Sequence, residues 1–178
     1  LFRSAFCLRD MARIYDMNNQ KDSAENYYRE AYTLMKEKIS PEKACDIGEE
    51  MANFYYNWGK LDSAEILARK VQAYHTSSLS HLVLGEVYYQ KQRFDSASVY
   101  LQNVIPGSNL YHQRTAHRLL HLIAGEQKQY QKAYQYAVLC IHALDSISRI
   151  TQTEEVGKIH SLYNYNLSEQ ENQRLQSK

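Results

Sequence analysis

Asp22-Ser23-Ala24, Asp62-Ser63-Ala64 and Asp95-Ser96-Ala97 are three copies of one tripeptide, and Gln131-Lys132-Ala133 is a weaker fourth copy. Their alanines are separated by 40, 33 and 36 residues. Self-similarity at such a spacing is typical of chains built from repeated pairs of helices. The tripeptide therefore predicts a protein made of about four structural repeats.

A small residue and an aromatic residue precede each tripeptide at fixed distances. Counted back from the tripeptide alanine, the residues at twelve positions are Ala12, Ala52, Gly85 and His121, and those at nine are Tyr15, Tyr55, Tyr88 and Ala124. Two helices approach closely only where their facing side chains are small, and a ring can fill the space beside them. The pattern thus predicts antiparallel helix pairs, of which the fourth is the least regular.

This pattern resembles the tetratricopeptide repeat (TPR), a helix-turn-helix unit of about 34 residues. The resemblance extends over residues 5–144. It implies an all-α, right-handed α-α superhelical solenoid of about four TPR-like hairpins within residues 1–150, followed by a C-terminal capping or connector helix over 151–178. The predicted hairpins span 5–40, 42–77, 78–108 and 109–148, with helices over 4–18, 21–38, 42–58, 61–75, 78–91, 95–105, 109–125 and 130–148. Asp22 and Asp62 are expected to cap the second helices of their hairpins.

The composition agrees with a helical protein. Only 6 Gly and 2 Pro occur among 178 residues, which favours long uninterrupted helices. Lys and Arg total 21 and Asp and Glu total 20, so the chain has no general attraction for nucleic acid or anionic membranes. No stretch of 18 apolar residues occurs, so no membrane span is predicted within the sequence.

The segment after residue 150 lacks the repeat pattern. Its first half carries an apolar stripe at helical spacing, formed by Val156, Ile159, Leu162, Tyr163 and Leu167. We expect this stripe to cover the exposed face of the fourth hairpin, as the end of a solenoid requires. The polar half, 168–178, is expected to project or fray.

A second resemblance concerns the stretch from Glu154 to Tyr163 and the Glu/Gln/Asn-rich residues after it. It looks like a junction in bacterial signalling proteins, where extracytoplasmic TPR segments lead into a membrane helix and then into a histidine kinase or DNA-binding output domain. It implies a periplasmic or extracytoplasmic sensing or scaffold domain, with a membrane span just beyond Lys178. The alternative is a soluble cytoplasmic TPR scaffold or adaptor.

The TPR resemblance also implies a binding groove. In that family one face of the first helix of each hairpin lines a concave surface that holds a protein or an extended peptide, or a second copy of the chain. The corresponding residues are Arg9, Arg13, Glu49, Asn53, Tyr56, Leu82, Glu86, Tyr89, Arg118 and Leu122. Aromatic side chains together with charges of both signs are typical of surfaces that bind peptides. The carboxylates of Glu49 and Glu50 argue against the carboxylate-clamping chaperone adaptors of the family.

No catalytic, cofactor or metal site is predicted. His117 and His121 share a helix face at a spacing that can hold a metal, but no third ligand is identifiable. Cys7, Cys45 and Cys140 form no C-x-x-C pair, and Cys140 falls at a repeat packing position. A helical-repeat enzyme remains the alternative class, since a metal or a deep ionisable pocket would be invisible to this pattern.

Overall fold

The computed structural model describes residues 2–104 and 109–176, with side chains as far as Tyr165. Over these residues it contains eight α-helices and no strand, which confirms the all-α fold. The helices are α1 Phe2–Met17, α2 Lys21–Lys38, α3 Cys45–Asn57, α4 Leu61–Gln72, α5 Ser78–Gln90, α6 Phe94–Val104, α7 Leu110–Glu126 and α8 Tyr130–Gln176. None of these helices is both long enough and apolar enough to cross a bilayer. Residues 106–108, between the two helices predicted over 95–105 and 109–125, lie outside the described residues.

The helices pack as four consecutive hairpins, α1–α2, α3–α4, α5–α6 and α7–α8. Each second helix also contacts the first helix of the next hairpin, so the hairpins stack in chain order. Of the odd-numbered helices, α3 packs on α5 and α5 on α7, whereas the described even-numbered helices form no comparable contacts with one another. The stack is therefore tighter on its odd-numbered side, which makes that side the inner one of a curved array.

The same turn joins the two helices of every hairpin. One residue of each turn has left-handed backbone geometry, with φ of 59° at Asn19, 80° at Gly59, 57° at Gln92 and 58° at Lys128. The next amide donates to the carbonyl five residues back, from Gln20 to Tyr15 at 2.8 Å, Lys60 to Tyr55 at 2.9 Å, Arg93 to Tyr88 at 2.9 Å and Gln129 to Ala124 at 2.8 Å. This is the Schellman arrangement, which satisfies carbonyls at the end of a helix. The fourth hairpin has it too, although Ala124 replaces the aromatic residue.

The predicted aspartate caps are wrong. The residues at the cap positions of α2 and α4 are Gln20 and Lys60, and neither forms a side-chain cap. Asp22 and Asp62 lie within the first turn, where their charge complements the helix dipole. The Schellman turn fixes where the second helix begins and places its start two residues earlier than a cap at the aspartate would.

The small residues lie at the contact between the two helices of a hairpin. Ala12, Ala52 and Gly85 are buried. A Cβ atom added to Gly85 would lie 2.6 Å from the Cγ of Leu101, so α5 and α6 approach too closely for any larger residue. In the fourth hairpin, His121 fits because its Nδ1 donates a hydrogen bond to the Ala133 carbonyl at 3.0 Å.

Helix α8 differs from the expected C-terminal cap. It is one 47-residue helix, so residues 151–176 continue the second helix of the fourth hairpin rather than forming a separate element. Its N-terminal part packs on α7 through Ala133 and Ala143, but residues 148–165 are all exposed. Val156, Ile159 and Leu162 are between 62% and 68% exposed, so the apolar stripe does not cover the fourth hairpin. Because α8 continues without a break beyond the fourth hairpin, its C-terminal part does not fold back onto the stack.

Candidate functional site on the odd-numbered helices

The ten predicted groove residues lie on the odd-numbered helices, and we call their side the groove face. On α3 they are Glu49, Asn53 and Tyr56, and on α5 they are Leu82, Glu86 and Tyr89; α1 carries Arg9 and Arg13, and α7 carries Arg118 and Leu122. Spacings of three and four residues put the members from each helix on one side of it. The groove face extends over several hairpins, because the charges of Glu86 and Arg118 from later hairpins both affect the pKa of Tyr56.

At the α1 end the cations of the groove face are already paired. Arg13 donates to both carboxylate oxygens of Glu50 on α3, at 2.8 Å and 2.6 Å, and contacts Asp10 at 3.4 Å. The hydrogen bond to Glu50 raises the pKa of Arg13. Arg9 donates to Asp10 at 2.8 Å, and its guanidinium lies 4.6 Å from the centre of the Phe6 ring. This end of the face is therefore close to neutral.

The centre of the groove face holds a carboxylate without a partner. Glu86 is half-buried and forms no hydrogen bond or ion pair with the described residues. Burial raises the pKa of Glu86 to about 7, while the exposed Arg118 on α7 lowers it to a smaller extent. No salt bridge joins the two side chains among the described residues, so the charge of Glu86 is only partly compensated.

Two tyrosines flank Glu86. Tyr56 on α3 and Tyr89 on α5 are both half-buried, and the Tyr89 ring packs on Phe94 with centroids 5.9 Å apart. Burial is the largest cause of a raised pKa at Tyr56, and the charge of Glu86 adds to it. The two rings and the Glu86 carboxylate therefore share one face, with Glu86 three residues before Tyr89 on α5 and close enough to Tyr56 to affect its pKa.

Glu49 and Leu82 are more buried than a groove position suggests. Glu49 is only 7% exposed, and its Oε1 atom has no hydrogen-bond partner among the described residues. Burial raises the pKa of Glu49, whereas Ser77 and His75 from the segment between α4 and α5 lower it. Leu82 is 5% exposed. The open part of the face is therefore made by Asn53, Tyr56, Glu86, Tyr89, Arg118 and Leu122.

A polar network that the repeat pattern does not predict connects consecutive hairpins. Glu25 accepts from the Tyr55 hydroxyl at 2.9 Å and from Lys60 at 2.8 Å. One repeat later, Glu65 accepts from the Tyr88 hydroxyl at 2.6 Å and from Lys91 at 2.7 Å. The available signal was the glutamate after the first two Asp-Ser-Ala copies. The third copy has serine there, at Ser98, and the network is not repeated.

His117 and His121 on α7 have different surroundings and do not point to a shared ligand. His121 binds a backbone carbonyl, whereas His117 is 5% exposed and its Nδ1 has no partner among the described residues. Burial lowers the pKa of His117. Across 2–104 and 109–176, no three His, Cys, Asp or Glu side chains are grouped to hold a metal ion. The three cysteines are unpaired, with Cys45 buried and Cys140 donating weakly to the Arg114 carbonyl.

Comparison with known proteins identifies the fold but no family. No protein-family model matches the sequence, and no curated protein matches it. The structure is similar to the crystal structure of BtubC (BKLC) from P. vanneervenii, with a TM-score of 0.63 and 19% sequence identity. The match covers 81% of this chain and 64% of BtubC, so the chain spans just under two thirds of that protein's length. At this identity the similarity supports a helical-repeat fold alone.

Proposed function

We propose that the chain is a non-catalytic, TPR-type protein-interaction module whose groove face binds an extended segment of a partner protein. The observation that carries the proposal is the surface around Glu86, whose carboxylate has no hydrogen bond or ion pair with the part of the chain that the structure describes and lies near two half-buried tyrosines from adjacent hairpins. Tyrosine supplies contact area at low entropic cost and is enriched at binding hot spots. The repeated Schellman turn and the buried small residues support the TPR type.

Binding of candidate partners by the isolated chain tests the groove. We expect Tyr56→Ala and Tyr89→Ala each to weaken binding at least tenfold, since truncating a hot-spot residue costs about 2 kcal/mol or more. Tyr134→Ala is the matched control, because Tyr134 is 71% exposed on α8 and lies off the groove face. Circular dichroism and thermal unfolding would show that each variant is folded. Retained binding in both groove variants would place the site elsewhere.

We further propose that the module belongs to the extracytoplasmic part of a bacterial membrane-anchored regulator of the histidine-kinase or transcriptional-regulator type. Support comes from the resemblance at Glu154–Tyr163 and from α8, which runs on beyond the stack as a single exposed helix. The test is protease accessibility of the module in spheroplasts expressing the full-length protein. Digestion only after lysis would favour a cytoplasmic scaffold instead.

A further inference from the structure

The charges of the groove face are unevenly compensated along its length. Arg9 and Arg13 at the α1 end are neutralised by Asp10 and Glu50. Glu86 at the centre has no ion pair among the described residues, and the nearby Arg118 is exposed. A partner segment crossing the centre of the face would therefore meet a negative charge, only partly compensated by Arg118, close to two tyrosine rings.

A half-buried carboxylate in this setting is costly to the free protein. Burial disfavours its charged form, as the raised pKa of Glu86 shows. Glu49, one repeat earlier on the same face, is a second carboxylate with an unpartnered oxygen and nine-tenths of its surface buried. Glu86 lies on the open part of the face and would be stabilised by a cation that reached it, because charge-assisted hydrogen bonds are the strongest available to a carboxylate. Glu49 is too deeply buried for such a direct contact.

We propose that the segment held by the groove face is basic, with a lysine or arginine side chain that pairs with Glu86 between Tyr56 and Tyr89. This inference rests on the proposed peptide-binding function and specifies its ligand. A cation would interact favourably with both the carboxylate and the rings, since ammonium and guanidinium groups are attracted to the faces of aromatic rings. An acidic segment would meet repulsion at the same point.

An array of immobilised random dodecapeptides, probed with the whole chain and its variants, tests the inference. We expect the bound peptides to be enriched in lysine and arginine. Glu86→Gln, which keeps the shape and removes the charge, should weaken their binding about tenfold as the charge-assisted hydrogen bond is lost. Glu86→Lys should shift the preference towards peptides that carry aspartate or glutamate.

Glu30→Gln is the matched control for net charge. Glu30 is exposed on α2, an even-numbered helix, so its neutralisation should change binding by less than twofold. Equal losses in Glu30→Gln and Glu86→Gln would overturn the inference, because they would reveal general electrostatic attraction. Thermal unfolding of each variant establishes that it is folded.

The remaining outcomes separate this inference from the proposed function. If peptide binding depends on Tyr56 and Tyr89 but the bound peptides are not enriched in lysine or arginine, the inference is wrong. The proposed peptide-binding function would still be supported. If no peptide is bound in a manner that depends on Tyr56 or Tyr89, both the inference and the proposed function are wrong.

Discussion

The Tyr88 hydroxyl of α5 donates to the Glu65 carboxylate of α4 at 2.6 Å and thereby joins the second hairpin to the third. The tyrosine is 3% exposed, so the hydroxyl would otherwise be buried without a strong acceptor. Lys91 donates to the other oxygen of Glu65 at 2.7 Å. The junction between these hairpins is therefore polar at a point where most of the core is apolar.

Removing one hydroxyl from this junction should destabilise the stack. We expect Tyr88→Phe, and likewise Tyr55→Phe at the equivalent junction, to lower the free energy of unfolding by about 1 kcal/mol, the net worth of a buried hydrogen bond. Urea denaturation measures the change. Tyr134→Phe, on an exposed ring, should differ from the unsubstituted chain by less than about 0.5 kcal/mol. Equal effects at all three positions would contradict the assigned role of the hydroxyls.

The same junction should be sensitive to acid. The hydrogen bonds from Lys91 and Tyr88 lower the pKa of Glu65 to about 2, below its unfolded value of 4.5. A depressed folded pKa contributes stability above the unfolded value, and this contribution is lost as the pH falls from 4.5 towards 2. We expect the loss to be about 1–2 kcal/mol after solvent screening. Unfolding curves of Glu65→Gln should lack this part of the acid dependence, whereas those of Glu30→Gln should retain it.

Glu86 should behave in the opposite way. Its folded pKa of about 7 lies above the unfolded value, so the folded state binds the proton more tightly and the free energy of unfolding rises as the pH falls from 7 to 4.5. At pH 8, Glu86→Gln should be more stable than the unsubstituted chain by about 2 kcal/mol, because it removes a buried charge.

Below pH 4.5 the difference between Glu86→Gln and the unsubstituted chain should vanish, since the glutamate is then neutral in both states. Urea denaturation at the two pH values measures it. A constant difference, or greater stability of the glutamate at pH 8, would show that Arg118 compensates the charge in full.

The left-handed turn residues predict a reciprocal pair of substitutions. Gly59 has φ of 80° and open space around it, so Gly59→Ala should cost about 1 kcal/mol through backbone strain alone. Gln92 occupies the equivalent position with φ of 57°, and Gln92→Gly should therefore stabilise the protein by about 0.5–1 kcal/mol. Gly125→Ala is the control, because Gly125 lies inside α7 with open space and should gain stability from the same substitution. Thermal unfolding of the three variants measures whether each substitution raises or lowers the stability as predicted.

Helix pairing was accessible from the sequence because its signal is periodic. The buried alanines at positions 12, 24, 52 and 64 follow from the requirement for close helix approach, and the resulting register holds even in the fourth hairpin. The starts of the second helices were harder to predict, because they are set by the Schellman turns. Only one of the four turns has the glycine, Gly59, that would indicate such a turn from the sequence.

The details of the candidate site depend on contacts between distant segments. Lys60 and Lys91 pair with equivalent glutamates, yet they occupy different places in their turns, five and three residues after the tyrosine. No repeat alignment would match them. Glu49 likewise contacts the segment between α4 and α5, since Ser77 and His75 lower its pKa, and the local pattern around Glu49 does not encode where that segment lies.

Helix α8 gives the molecule a lever. About 28 of its residues lie beyond Ser148, which corresponds to about 42 Å of helix at 1.5 Å per residue. If the fourth hairpin tilted by about 5° relative to its neighbours, the far end of such a rod would be displaced by roughly 4 Å. If the proposed ligand adjusts the packing of the hairpins when it binds, the displacement would therefore be larger at Gln176 than within the stack.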